Sequence, residues 1–101
     1  MKEWKVFISD TLDKRLKDDE FVDKVGKKLK KNAYTGKPLG YKFLREKRFE
    51  GRRLYWLVYE KFVLVLIVAE SGKKDQKDTI AEIKNMLPLF MKEAENIYKN
   101  F

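Results

Sequence analysis

The sequence predicts an α+β fold: a strand, two helices, a three-stranded antiparallel meander, and a C-terminal helix or pair of helices. Three observations carry that expectation. Residues 43 to 69, FLREKRFEGRRLYWLVYEKFVLVLIVA, place a basic strand, an aromatic-rich strand and an almost wholly apolar strand in succession. Only Glu50-Gly51 and Glu60-Lys61 separate them, the spacing of consecutive antiparallel hairpins. On either side of this block, apolar residues recur at intervals of three and four, the period of helices with one buried face. At 101 residues the chain is expected to form one domain over residues 1 to 101.

The elements follow in order. Trp4, Val6 and Ile8 alternate with Lys5, Phe7 and Ser9, which predicts an opening strand over residues 2 to 8. Ser9 or Asp10 is the expected N-cap of a short helix marked by Leu12 and Leu16, which runs into the acidic break Lys17-Asp18-Asp19. Phe21, Val22, Val25, Leu29 and Ala33 then define the buried side of a second helix, with Lys24, Lys27, Lys28, Lys30 and Lys31 on its remaining surface. The glycines and proline of residues 34 to 40 read as a loop, with Leu39 as its buried anchor. The strand from Phe62 to Ala69 has no polar face, so it belongs in the middle of the sheet with a layer over each side. A polar stretch from Glu70 to Lys77 leads to Asp78 or Thr79 as the next helix cap. The helical stripe then runs through Ile80, Ile83, Leu87, Phe90, Met91, Ala94, Ile97, Tyr98 and Phe101. Pro88 breaks it near the start of a second helix, because proline lacks the N–H that continues the ladder.

Composition narrows the chemistry. With neither cysteine nor histidine, disulfides, thiolate metal sites and every Ser-His or Cys-His nucleophile are excluded, and no cofactor or metal site is expected. The longest apolar run is too short for a bilayer and the N-terminus is too charged for a signal peptide, so a cytoplasmic protein without membrane contact is expected. The charge is +8, from 24 Lys and Arg against 16 Asp and Glu. It is unevenly distributed: Lys24 to Arg45 holds eight basic residues and no acidic one, whereas Asp10 to Asp23 holds six carboxylates. Concentrated cations gain from counterion release on a phosphate backbone, which points to a polyanionic partner. Five cations on one hairpin, Arg45, Lys47, Arg48, Arg52 and Arg53, repel one another, and Glu46 and Glu50 offset only part of that cost. Lys28 and Lys31 on the helix, and Lys73 and Lys77 after the last strand, extend the basic surface expected to contact RNA. Trp4 is expected in the core, and Trp56 and Tyr59 in core or edge packing.

The ordered runs Gly36-Lys37-Pro38-Leu39, Leu44-Arg45-Glu46-Lys47-Arg48, Gly51-Arg52-Arg53-Leu54-Tyr55-Trp56-Leu57-Val58-Tyr59-Glu60 and, after an apolar strand, Lys73-Lys74-Asp75-Gln76 resemble the RelE/ParE toxin superfamily of type II toxin-antitoxin systems. The likeness is to its archaeal RelE-like members in particular. It covers roughly residues 1 to 87, with 88 to 101 as an additional C-terminal helix. It implies a metal-independent endoribonuclease that cleaves messenger RNA on the ribosome and inhibits translation, restrained by a cognate antitoxin, with ribosomal RNA as a further contact. The alternative on the same fold is a non-catalytic protein, either a gyrase inhibitor or an inactivated relative that binds antitoxin or RNA. By the same resemblance, Arg53 and Lys74 would stabilise the phosphate, Lys47 and Arg48 match the basic part of the first hairpin strand, and Lys47 or Glu46 would serve as base. The apolar C-terminal stripe is expected to pack on its own sheet, on a second copy as a homodimer, or on the antitoxin.

Overall fold

The computed structural model describes residues 3–100 and shows an α+β domain: a five-stranded mixed sheet with helices on both faces. The strands are β1 (Lys5–Ile8), β2 (Lys37–Pro38), β3 (Leu44–Phe49), β4 (Arg52–Tyr59) and β5 (Leu64–Gly72). The helices are α1 (Glu20–Lys31), α2 (Gln76–Asn85) and α3 (Leu87–Lys99). The sheet order is β1-β5-β4-β3-β2. β3, β4 and β5 form the expected antiparallel meander, and β1 joins it parallel to β5. The apolar strand is therefore internal, flanked by β1 and β4, and Leu64 to Val68 are all buried.

Several boundaries differ from expectation. The first strand spans four residues; its expected start at Lys2, and Phe101 at the end of the helical stripe, lie outside the described residues. The short first helix is a single 3-10 turn, Lys14–Asp18, capped by Asp13 rather than by Ser9 or Asp10. Ser9 is instead buried, donating a hydrogen bond to Glu93 of α3 at 2.7 Å, while the Asp10 N–H donates to the other Glu93 oxygen at 2.8 Å. Part of the loop after α1 becomes the two-residue edge strand β2. α2 starts at Gln76, with Asp75 rather than Asp78 or Thr79 at the cap position. Pro88 stands in the first turn of α3, the place where a missing N–H costs nothing.

The two faces of the sheet bury separate cores. α1 lays Val22, Val25 and Leu29 on Leu54, Trp56, Val58, Val65 and Ile67, with Trp4 and Ala33 closing the layer. α2 and α3 lay Ile83, Phe90 and Ala94 on Leu44, Tyr55, Leu57, Leu64, Leu66 and Val68. α3 therefore packs on its own sheet, the first of the expected arrangements.

α1 is pinned at its start by Asp19. Its carboxylate accepts the Phe21 and Val22 N–H groups at 2.9 and 3.3 Å and also binds the Arg52 guanidinium at 2.9 Å. The Arg52 bond is the main reason its carboxyl titrates below the usual range. A carboxylate with a lowered folded pKa adds stability above its unfolded value near pH 4, and that contribution fades as the pH falls toward the folded value. The wild type should therefore lose stability below about pH 4 more steeply than Asp19→Asn, which keeps a cap but not the ion pair; urea midpoints from pH 7 down to pH 2 read the difference.

On the other face, the Tyr59 hydroxyl is buried with no hydrogen-bond partner among the described residues. Burial, with Glu93 as a second cause, pushes its phenol well above the usual range. A raised folded pKa gives stability that is complete below about pH 10 and falls as pH rises through that value. Tyr59→Phe removes a polar atom that folding desolvates for no return. It should raise stability at pH 7 by about 1 kcal/mol and flatten the alkaline loss, both read from thermal melts across pH.

Candidate functional site

The turn between β3 and β4 decides where the basic residues point. Glu50 and Gly51 both have positive φ, 47° and 80°, the two-residue geometry whose twist matches that of the strands. It sets Phe49 opposite Arg52, Arg48 opposite Arg53, Lys47 opposite Leu54 and Glu46 opposite Tyr55. Opposed residues share a face, so the hairpin cations divide. Glu46, Arg48, Arg53 and Tyr55 lie on the side of α2 and α3. Arg45, Lys47 and Arg52 lie on the side of α1. Lys47 and Arg53, expected together as base and phosphate ligand, are on opposite faces, and Glu46 takes the place beside Arg53.

A bulge in β5 completes the α2 side. The register passes from Trp56 opposite Ile67 to Tyr55 opposite Ala69, so Val68 is an extra residue and both Val68 and Ala69 join the α2 layer. Every later residue then changes face relative to strict alternation. Glu70 goes to the α1 side, where it binds Arg52, and Ser71 goes to the α2 side, opposite Arg53, where its hydroxyl meets that of Tyr55 at 2.8 Å.

The resulting cluster is largely enclosed. The Glu46 side chain is 1% exposed, with one oxygen accepting from Arg48 Nε at 3.1 Å and the other from Gln76 Nε2, in the first turn of α2, at 2.7 Å. Tyr55 is fully buried; burial above all raises its pKa, Glu46 adding to the shift while the Ser71 hydrogen bond, Arg53 and Arg48 oppose it. Arg53 is 5% exposed, and its Nε is buried without a partner. No group among the described residues forms a hydrogen bond or ion pair with this guanidinium. Burying an uncompensated cation costs several kcal/mol by order of magnitude, roughly the scale of a domain's whole stability. The neighbouring Arg52, by contrast, binds both Asp19 and Glu70.

The cations on the α1 side divide in turn. Arg52 clamps β4 to β5 and to the start of α1. Arg45 donates to the backbone carbonyls of Thr35, Lys42 and Gly36 at 2.9, 3.0 and 3.1 Å and so holds the loop between α1 and β3. These two, expected to contact RNA, are occupied in holding the fold. Lys47, Lys28 and Lys31 are exposed, and none has a carboxylate partner among the described residues. Lys73 and Lys74 are exposed in the turn that joins β5 to α2, and Lys77 is exposed in the first turn of α2. Lys73 and Lys74 follow directly on Gly72, which pairs with Arg52, so the chain leaves the sheet one residue from the Arg53–Ser71 pair.

Glu46 was named in the sequence only as the alternative to Lys47, and Gln76 and Ser71 carried no assigned role. The signal for Glu46 was the two-residue turn itself: counting back from Glu50-Gly51 sets Glu46 and Arg48, not Lys47, on the side of Arg53. Beyond this cluster, an apolar groove of about 410 Å³ lies between the sheet and α3, lined among others by Phe43, Tyr59, Phe62, Leu87 and Met91. Among the described residues no group of three or more carboxylates is placed to hold a metal ion, and no helix is long and apolar enough to cross a membrane. Comparison of the chain with family models, curated proteins and solved structures gives no match.

Proposed function

We propose that this protein is a RelE-like toxin whose α2-side cluster binds the phosphodiester of messenger RNA on the ribosome and cleaves it without a metal ion. The observation that carries this reading is Arg53, a nearly buried guanidinium that forms no hydrogen bond or ion pair with any described residue, on a strand whose partner β5 is followed by the exposed Lys73 and Lys74. An anion from outside is the natural counter-charge. Three supports stand beside it: the order of elements, the sequence runs that resemble the RelE/ParE superfamily, and the presence of a carboxylate on the same face. In the reaction, Glu46 takes the proton of the 2′-hydroxyl after Gln76 and the exposed Arg48 swing aside. The 2′-oxygen attacks phosphorus, Arg53 and Arg48 hold the charge that develops on the phosphoryl oxygens, and the 5′-oxygen leaves with a proton from Lys74 or solvent, giving a 2′,3′-cyclic phosphate.

The cognate antitoxin is the expected partner at the apolar groove beside α3, where Leu89, Met91 and Tyr98 remain exposed, with a second copy of the chain as the alternative occupant. The complete enclosure of Glu46 favours a second reading, a binding-only protein on the same fold. The test is purified protein in a translating extract, with 5′ ends mapped on a reporter message. Cuts inside the reading frame that require ribosomes, and that Glu46→Gln lowers at least about 100-fold, support cleavage. Intact message with loss of DNA supercoiling activity by gyrase points to the gyrase inhibitor. Intact message with undisturbed gyrase leaves the binding-only protein.

A further inference from the structure

On the opposite face from Arg53, α1 and the β3–β4 hairpin enclose a second groove, of about 480 Å³. At its upper end Phe21 of α1 stacks on Phe49 of β3, ring centroids 5.5 Å apart and planes within 24°, with the Arg52 guanidinium 5.1 Å over the Phe21 ring. Phe49 nevertheless stays 53% exposed, so the stack presents an aromatic face to solvent. One exposed phenylalanine means little by itself. Its surroundings give it meaning. Lys24 and Lys28 line the same groove from successive turns of α1, about 6 Å apart along the axis, and Lys47 lines it from β3. Lys24 pairs with Glu20, but Lys28 and Lys47 have no carboxylate partner among the described residues. Lys31 continues the row one further turn along α1.

The groove is also open along one side. β2 pairs only with Arg45 and Glu46, so among the described residues the outer edge of Lys47, Arg48 and Phe49 has no strand beside it, and the outward backbone groups there are unpaired by the sheet. Of the groove's carboxylates, Asp19 is bound by Arg52 and Glu20 pairs with Lys24, while Glu50 has no cation partner among the described residues.

We propose that this groove binds a segment of single-stranded RNA, with one base stacked on Phe49 and the adjoining phosphates on Lys28 and Lys47. A flat aromatic surface beside a row of unpaired ammonium groups at helical-turn spacing suits an unpaired strand: the base supplies the stacking face and the backbone supplies regularly spaced negative charge. A base paired inside a duplex offers no free face, so the surface discriminates against double strands. The choice of RNA over DNA rests on the cleavage reading above; the binding surface itself does not involve Arg53 or Glu46.

The test is fluorescence anisotropy with a labelled ten-nucleotide uridine strand carrying 2′-O-methyl groups, which cannot be cleaved, so failure of the cleavage reading leaves the result interpretable. Phe49→Ala, which changes no charge, should weaken binding about 5- to 150-fold, the range for loss of one stacked base, whereas Phe49→Trp retains it. The same Phe49→Ala protein should bind a duplex of equal length as the wild type does. Lys28→Ala with Lys47→Ala should lower the slope of log Kd against log salt by about 1.4, two phosphate contacts on a single strand. Leu89→Ala, on the far helix, is the control for general loss of apolar surface. Unchanged affinity in Phe49→Ala, or an equal loss on single strand and duplex, overturns the proposal, the first outcome leaving the groove to an acidic protein segment.

Discussion

Replacing Arg53 by Ala should abolish messenger RNA cleavage, by about 100- to 1,000-fold, without lowering the stability of the protein. The two halves of that result come from one observation. A guanidinium that is 5% exposed, with a buried Nε that no group among the described residues accepts from, is a cost to the free protein and a gain only when an anion arrives. Removing it relieves the cost, so the urea midpoint should stay the same or rise. An arginine that served the fold would behave oppositely, and Arg52 supplies the comparison on the next residue. Arg52→Ala leaves Asp19 and Glu70 without their cation and should destabilise the protein. Arg53→Lys keeps the charge but loses the planar fork that reaches two phosphoryl oxygens, and should still cost about tenfold in rate. Cleavage rates in translating extract and urea midpoints of the three variants give the measurement. A loss of 2 kcal/mol or more of stability in Arg53→Ala, on the order of a broken buried ion pair, would mean that the side chain is structural and would remove the main support for a phosphate site.

The meander and the burial of its last strand were legible because each depended on local pattern. The Glu50-Gly51 separator and an unbroken apolar run leave few alternatives, although the second connection is residues 60–63, a 3-10 turn closed by Val63, rather than Glu60-Lys61 alone. What the pattern did not disclose was long-range. The partner of β1 is β5, some sixty residues later, and nothing in Lys5 to Ile8 specifies it. The bulge at Val68 was equally hidden, since Val, Ala and Ile are all compatible with either face, yet it decides that Ser71 meets Tyr55 and Glu70 meets Arg52. The candidate site was visible as a cluster of charge on one hairpin. Its division between the two faces follows from the register that the Glu50-Gly51 turn fixes, but the occupation of Arg45 by three carbonyls required the folded loop. Charge in a sequence says how many cations are near one another; only contacts say which are already engaged.

Trp56→Ala should be the most destabilising single change on the α1 side, by about 3 to 5 kcal/mol. The indole is fully buried, and its Nε1–H donates to the Ala33 carbonyl at the end of α1, at 3.0 Å. The ring therefore joins the middle of the sheet to the point where the chain leaves α1 for the β2 loop. Gly36 shows how closely that loop comes: a Cβ there would stand 3.0 Å from the Trp56 ring and 2.4 Å from the Glu46 carbonyl oxygen, and its φ of 81° is one that side chains rarely adopt. Truncating Trp56 removes the largest buried side chain of this layer, opens a cavity between α1 and β4, and leaves the Ala33 carbonyl unpaired. For a domain of this size the expected fall in melting temperature is about 15 °C or more. Trp56→Phe separates the contributions, retaining most of the volume while losing the hydrogen bond, and should cost about 1 to 3 kcal/mol. The effect should be confined to stability: Trp56 faces α1, so at temperatures where Trp56→Phe remains folded, RNA cleavage should persist near the wild-type rate. A cleavage defect in a folded Trp56→Phe protein would instead show that the two faces of the sheet are coupled through β4.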